Sequence, residues 1–120
     1  MFSYESLEIW QLAIVYAKNI YKATRKFPGS EKYGLASQLQ RAAVSISANI
    51  AEGSGSVGIK DKLNFLDIAI KSSLEVTSEI QIAQELGYIT KNERDELYQD
   101  AEIIIKKIRS FKKFFTNHKQ

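Results

Sequence analysis

Residues 34–56 read GLASQLQRAAVSISANIAEGSGS, one long helix of mixed faces followed by a glycine-serine break. At about 100° per residue, Gln38, Arg41, Ser45, Asn49 and Glu52 fall within roughly 80° of one another and form a single polar stripe. Leu35, Leu39, Ala42, Ala43, Ile46 and Ile50 form an apolar stripe beside it. Ala36, Val44, Ser47, Ala48 and Ala51 line the remaining side with small residues. Such a helix touches neighbours all round, so the rest of the chain is expected to pack about it.

The polar stripe has two readings. It is a solvated face, or it is a partly buried ladder at a helix interface. Its side chains are mostly short or uncharged, and the four-residue steps from Arg41 to Ser45 to Asn49 allow hydrogen bonds along it, which gives the second reading weight.

Outward from this helix, the punctuation predicts three more. Towards the N-terminus, Phe27-Pro28-Gly29 ends a preceding helix, because proline lacks the amide that the next turn needs. Ser30 is the candidate N-cap of the central helix, predicted over about 31–53, with Glu31 in its first turn. The first helix is predicted over about 4–26, with Ser3 as N-cap. Leu7, Trp10, Ile14, Ala17 and Tyr21 give it a seam of alternating three and four spacings. Ile9, Leu12, Tyr16 and Ile20 widen the apolar surface, which fits either a large core helix or one that also meets another subunit.

Towards the C-terminus, Gly53 is expected to take a left-handed conformation that closes the central helix, and residues 54–60 to form a flexible turn. The glycine spacing there is not a nucleotide-binding fingerprint: it follows a helix rather than a strand and lacks a Walker lysine-serine pair. A third helix is predicted over 61–86, closed by Gly87, with Tyr88 and Ile89 folding back over its end. Thr90-Lys91-Asn92-Glu93 is a capping box, with Ile89 as its staple, and opens a fourth helix over 91–115. Leu97, Ala101, Ile104, Ile108, Phe111 and Phe115 keep a 4-3-4-3-4 seam along it. No strand pattern competes. Short connections force successive helices to run antiparallel, so the expected fold is all-α, an up-down-up-down four-helix bundle forming one domain over 1–120.

Composition narrows the chemistry. The chain has 120 residues, 44% hydrophobic, with one proline and no cysteine, which excludes disulfides and thiolate metal sites. Its single histidine, His118, cannot supply a histidine zinc site or the Glu-x-x-His pairs of a di-iron bundle, so no metal and no cofactor is expected. No apolar run approaches 18 residues and no secretory signal is recognised, so a cytoplasmic protein without a membrane partner is expected.

The net charge of +3 conceals an asymmetry. Residues 1–102 carry 11 basic against 14 acidic side chains, whereas the last 18 residues carry Lys106, Lys107, Arg109, Lys112, Lys113 and Lys119 with no acid. Basic residues near a helix C-terminus offset its dipole and aid solubility; the same cluster is also suited to phosphate or an acidic partner.

Read together, a set of residues carries a family likeness: Leu7 and Trp10; Phe27-Pro28 with Glu31, Gly34-Leu35 and Gln38; Arg41-Ala42-Ala43 with Ser45-Ile46; Asn49-Ile50-Ala51-Glu52-Gly53; and Phe65-Leu66 with Ala69, Ser72 and Glu75. In this order and spacing, over about residues 5–90, the chain resembles the four-helix-bundle family encoded by intervening sequences of bacterial 23S ribosomal RNA genes. That family also includes the accessory variability protein of diversity-generating retroelements. The resemblance implies a non-enzymatic bundle that assembles into a ring of five subunits and presents basic surface to nucleic acid. Two positions depart from the family pattern: Ser56 stands where an arginine often follows the Glu-Gly pair, and Lys71 where a glycine often precedes the serine of the third helix. The first departure weakens nucleic-acid binding near that loop and leaves the fold untouched.

The leading functional expectation is thus a homo-oligomeric RNA- or DNA-binding accessory protein, a pentamer as the resemblance implies.

 Its sites would be Lys106, Lys107, Arg109, Lys112 and Lys113, neutralising phosphates in a salt-dependent and sequence-blind manner. A scaffold that binds another protein through the polar stripe or the apolar arcs is the alternative. An enzyme is not expected. A helical-bundle ribonuclease would need an Arg and His pair four to six residues apart, whereas His118 lies nine after Arg109, and Glu52 and Glu75 form no matched acid and base.

Overall fold

Each helix ends where local chemistry supplies its last hydrogen bonds elsewhere, and these stops set the architecture. In the computed structural model, which describes residues 1–117, the chain forms α1 (Glu8–Thr24), α2 (Leu35–Gly55), α3 (Ile59–Glu85) and α4 (Lys91–Asn117). Short 3-10 turns at Ser3–Ser6 and Gly29–Glu31 precede α1 and α2. No strand occurs among the described residues. His118 and Lys119 lie outside them.

Two expected caps work differently from their sequence reading. Ser3 opens only the 3-10 turn, where the Phe2 amide donates to Glu5 Oε2 at 2.7 Å, and α1 proper follows Leu7. Ser30 is not the cap of α2. The helix begins after Gly34, and Glu31 Oε1 accepts the Leu35 amide at 3.0 Å. That bond, and the Tyr88 hydroxyl donating to Glu31 Oε2 at 2.9 Å, hold the Glu31 carboxyl below the usual carboxylate range.

Gly53 also departs from expectation. It stays inside α2, which runs on to Gly55, and the sole left-handed residue among those described is Gly87 (φ 79°). A Cβ at Gly53 would lie 3.2 Å from Phe65 Cβ and 3.3 Å from the Lys62 carbonyl oxygen. The glycine serves a close approach of α3 to α2 rather than a turn.

The closure of α3 follows its sequence signal. The Gly87 amide donates to the Gln84 carbonyl and the Tyr88 amide to the Ala83 carbonyl, both at 2.9 Å, a Schellman pair. Ile89 is buried, and Tyr88 packs on Phe27 with ring centroids 5.1 Å apart. The capping box is complete: the Thr90 amide donates to Glu93 Oε1 at 2.9 Å and the Glu93 amide to Thr90 Oγ1 at 3.1 Å. Glu93 also pairs with Lys26, which ties the end of α1 to the start of α4.

The helices pack in a square, α1 against α2, α2 against α3, α3 against α4 and α4 back against α1, with no contact across either diagonal among the described residues. This is the up-down-up-down four-helix bundle, with principal extents of 50 × 23 × 22 Å. Ala13, Tyr16 and Ile20 of α1 meet Leu39, Ala43, Ile46 and Ile50 of α2, Leu66, Val76 and Ile80 of α3, and Ile104 and Ile108 of α4 in the core. The Tyr16 hydroxyl donates to the Leu97 carbonyl of α4 at 3.1 Å, and burial is the main cause that pushes the phenol far above its ordinary range.

Candidate nucleic-acid interface

The C-terminal half of α4 has five basic residues, and the seam of Ala101, Ile104 and Ile108 fixes which way each one points. Lys107 and Lys112 flank the seam and turn towards neighbouring helices. Lys107 Nζ pairs with Glu8 of α1 at 3.0 Å, and Lys112 pairs with Asp67 of α3. Lys106, Arg109 and Lys113 lie at i, i+3 and i+7 on the outer face, and all three are exposed. Among the described residues none of the three has an ion-pair partner.

These three side chains border a shallow groove of about 720 Å³ between α3 and α4. Leu74 and Ile103 supply half-exposed apolar surface on it, and Ile105 lies beneath. Ser110, Gln99 and Glu102 complete the rim, so the groove carries three cations against one carboxylate. Chemically it offers phosphate neutralisation over an aliphatic floor. The sequence named the cations but not the floor, because Leu74 belongs to a different helix and only packing brings it to the site.

The polar stripe of α2 divides in a similar way. Ser45 Oγ and Ser72 Oγ of α3 share a hydrogen bond at 2.9 Å, and Asn49 Nδ2 donates to the Ser45 carbonyl at 2.8 Å and to Ser45 Oγ at 3.0 Å. These three residues stitch α2 to α3. Arg41 turns away towards Ser37 Oγ at 3.4 Å, and Gln38, Arg41 and Glu52 are exposed.

One polar residue escaped the sequence reading. Glu79 of α3 is only 8% exposed, and its Oε1 has no hydrogen-bond partner. Burial, reinforced by the Glu75 carboxyl one turn earlier, raises its pKa to about 7. The available signal was the i, i+4 pair of acids inside a helix whose neighbouring turns are apolar.

A family model described as "23S rRNA-intervening sequence protein" matches residues 5–110, nearly the whole bundle. The chain belongs to that family. A protein with unknown function from the S23 ribosomal protein family of Bacteroides thetaiotaomicron VPI-5482 has the same fold. Its crystal structure superimposes with a TM-score of 0.81 at 24% identity, covering 88% of this chain and 98% of that one. No curated protein matches the chain. Neither description names a reaction. No helix among the described residues of this 23S rRNA-intervening sequence protein is long and apolar enough to cross a membrane, and no group of three or more His, Cys, Asp or Glu residues among them could hold a metal ion.

Proposed function

We propose that this 23S rRNA-intervening sequence protein is a non-enzymatic, homo-oligomeric accessory protein that binds RNA or DNA through the outer face of α4. The observation that carries the reading is the row of Lys106, Arg109 and Lys113, exposed and without carboxylate partners among the described residues. Lys107 and Lys112 are held in ion pairs to neighbouring helices, whereas an unpaired row about 10 Å long is free to displace counterions from a phosphate backbone. The groove floor is aliphatic and offers no aromatic stacking platform, and the cations on its rim are spaced along one helix face to follow a phosphate backbone, so binding is expected to be largely insensitive to sequence. Assembly of several copies, five if the family pattern holds, would multiply a weak single contact into useful avidity.

The test compares labelled structured RNA and duplex DNA at 50 and 200 mM salt. Three phosphates neutralised per copy correspond to a loss of about 40-fold in duplex affinity over that range. Changing Lys106, Arg109 and Lys113 to glutamine should abolish binding, while Lys107→Gln with Lys112→Gln should leave most of it. An intact assembly that ignores both ligands at 50 mM salt would sink the reading. The half-exposed Leu74 and Ile103 favour one alternative, a scaffold that docks another protein in the same groove, and binding there would be insensitive to nucleic acid.

A further inference from the structure

Between the end of α1 and the start of α2, residues 25–34 carry three bases, Arg25, Lys26 and Lys32, against one acid, Glu31. That acid is already engaged, one carboxylate oxygen accepting from the Leu35 amide and the other from the Tyr88 hydroxyl. Lys26 is paired with Glu93, whereas Arg25 and Lys32 are exposed and have no ion-pair partner among the described residues. Tyr33 stands beside them. It is 88% exposed, and the Lys32 ammonium lies 5.5 Å from the centre of its ring. These side chains border a hollow of about 470 Å³ between α1 and α2, lined by two cations and two tyrosines and by no carboxylate. Contacts within the fold hold its walls: Gln40 of α2 donates to Thr24 Oγ1 of α1 at 3.0 Å, and the buried Phe27 packs on Tyr88.

We propose that this hollow takes one unpaired nucleotide of a single-stranded nucleic acid, its base stacked on Tyr33 and its phosphate held by Arg25 and Lys32. This rests on the nucleic-acid part of the function proposed above and gives it a second site with a different preference. An anion alone would use the two cations and leave the ring idle; a nucleotide uses both, because every base has a face that stacks on an aromatic ring and carries a phosphate within reach of it. The ammonium of Lys32 over Tyr33 keeps cation and ring together before the ligand arrives. A base inside a duplex has both faces covered by its neighbours, so the ring selects strands, loops and ends whose bases are free. The volume falls in the range of roughly 300 to 1,000 Å³ usual for small-ligand sites. The α4 groove, with its aliphatic floor, lacks this feature. It is also well separated: α4 starts beside the end of α1, where Glu93 meets Lys26, and Lys106 lies 13 residues further on, a rise of about 20 Å.

The test is fluorescence anisotropy at 50 mM salt with a labelled single strand of about 12 nucleotides and a blunt duplex of the same sequence. The full-length chains are the unaltered protein, Tyr33→Ala, Tyr33→Phe, Arg25→Gln with Lys32→Gln, and the α4 variant with Lys106, Arg109 and Lys113 changed to glutamine. Arg25, Lys32 and Tyr33 are all exposed, so folding should survive, and circular dichroism with light scattering checks fold and assembly. Tyr33→Ala should weaken single-strand binding about tenfold and leave duplex binding unchanged, whereas Tyr33→Phe, which keeps the ring, should bind as the unaltered chain does. The Arg25 and Lys32 pair of changes should weaken the single strand by a similar factor. Equal losses for Tyr33→Ala and Tyr33→Phe would overturn stacking. Adenosine monophosphate that displaces the strand at the strand's own concentration would overturn the strand and give the hollow to a free nucleotide. Single-strand binding untouched by Tyr33→Ala, in a protein whose duplex binding fails with the α4 variant, removes this site and leaves the α4 groove standing. Duplex binding untouched by the α4 variant, with single strands still needing Tyr33, does the reverse.

Discussion

At the scale of single residues, Glu79 makes the sharpest thermodynamic statement. Its folded pKa of about 7 lies above the value of an unfolded glutamate. A raised acid contributes stability that is complete below the unfolded pKa and is lost as pH climbs through the folded one. The nearest charges do not offset this. Glu75 shares the helix, and Arg41, the one base on α2, is exposed and bonded to Ser37. Chemical denaturation between pH 4 and 8 should show stability falling across that window by about 1 to 3 kcal/mol, and Glu79→Gln should flatten the fall. A profile that Glu79→Gln leaves unchanged would remove Glu79 as its source. This residue also shows where sequence reading runs out. The i, i+4 spacing of Glu75 and Glu79 was visible, but the burial of Glu79 depends on how the helices pack around it, and spacing alone does not give that depth.

At the scale of elements, the α2 to α3 seam turns on Gly53. Valine there would push its branched carbons into Phe65 Cβ and the Lys62 carbonyl, at a cost of about 1 to 3 kcal/mol. Gly55, two residues on, has nothing within 4 Å of an added Cβ, so Gly55→Ala should leave thermal stability almost unchanged. Equal losses for the two variants would show that the approach of α3 at Gly53 does not set the penalty, since helix propensity favours both replacements. The sequence marked α4 and the close of α3 correctly because their signals are local: a strict seam, a capping box and a glycine after an apolar turn. It misassigned Gly53 because a glycine needed for interhelical contact and one needed for a turn look alike in one dimension. Ser30 was misassigned for a related reason, since the carboxylate of Glu31 reaches forward across Gly34 to cap the helix in place of a hydroxyl.

At the scale of the whole molecule, the four seams are unequal. The α2 to α3 seam is the most extensive and the α1 to α4 seam the least, and a void of about 90 Å³ opens between α1 and α4 beside Tyr16. Native-state hydrogen exchange should therefore find the highest protection in α2 and α3 and an earlier opening of α1. Uniform protection of all four helices would contradict this order. The far end of the bundle is organised by a single cation. Lys62 Nζ donates to the Ser54 carbonyl at 3.1 Å and to that of Gly53 at 3.4 Å, and it also lies 5.4 Å from the centre of the Phe115 ring. One ammonium thus fastens the last turn of α2 and the last turns of α4 to α3. Any event that neutralises that amine, such as acetylation, would loosen two helix ends at once while leaving the hydrophobic core intact.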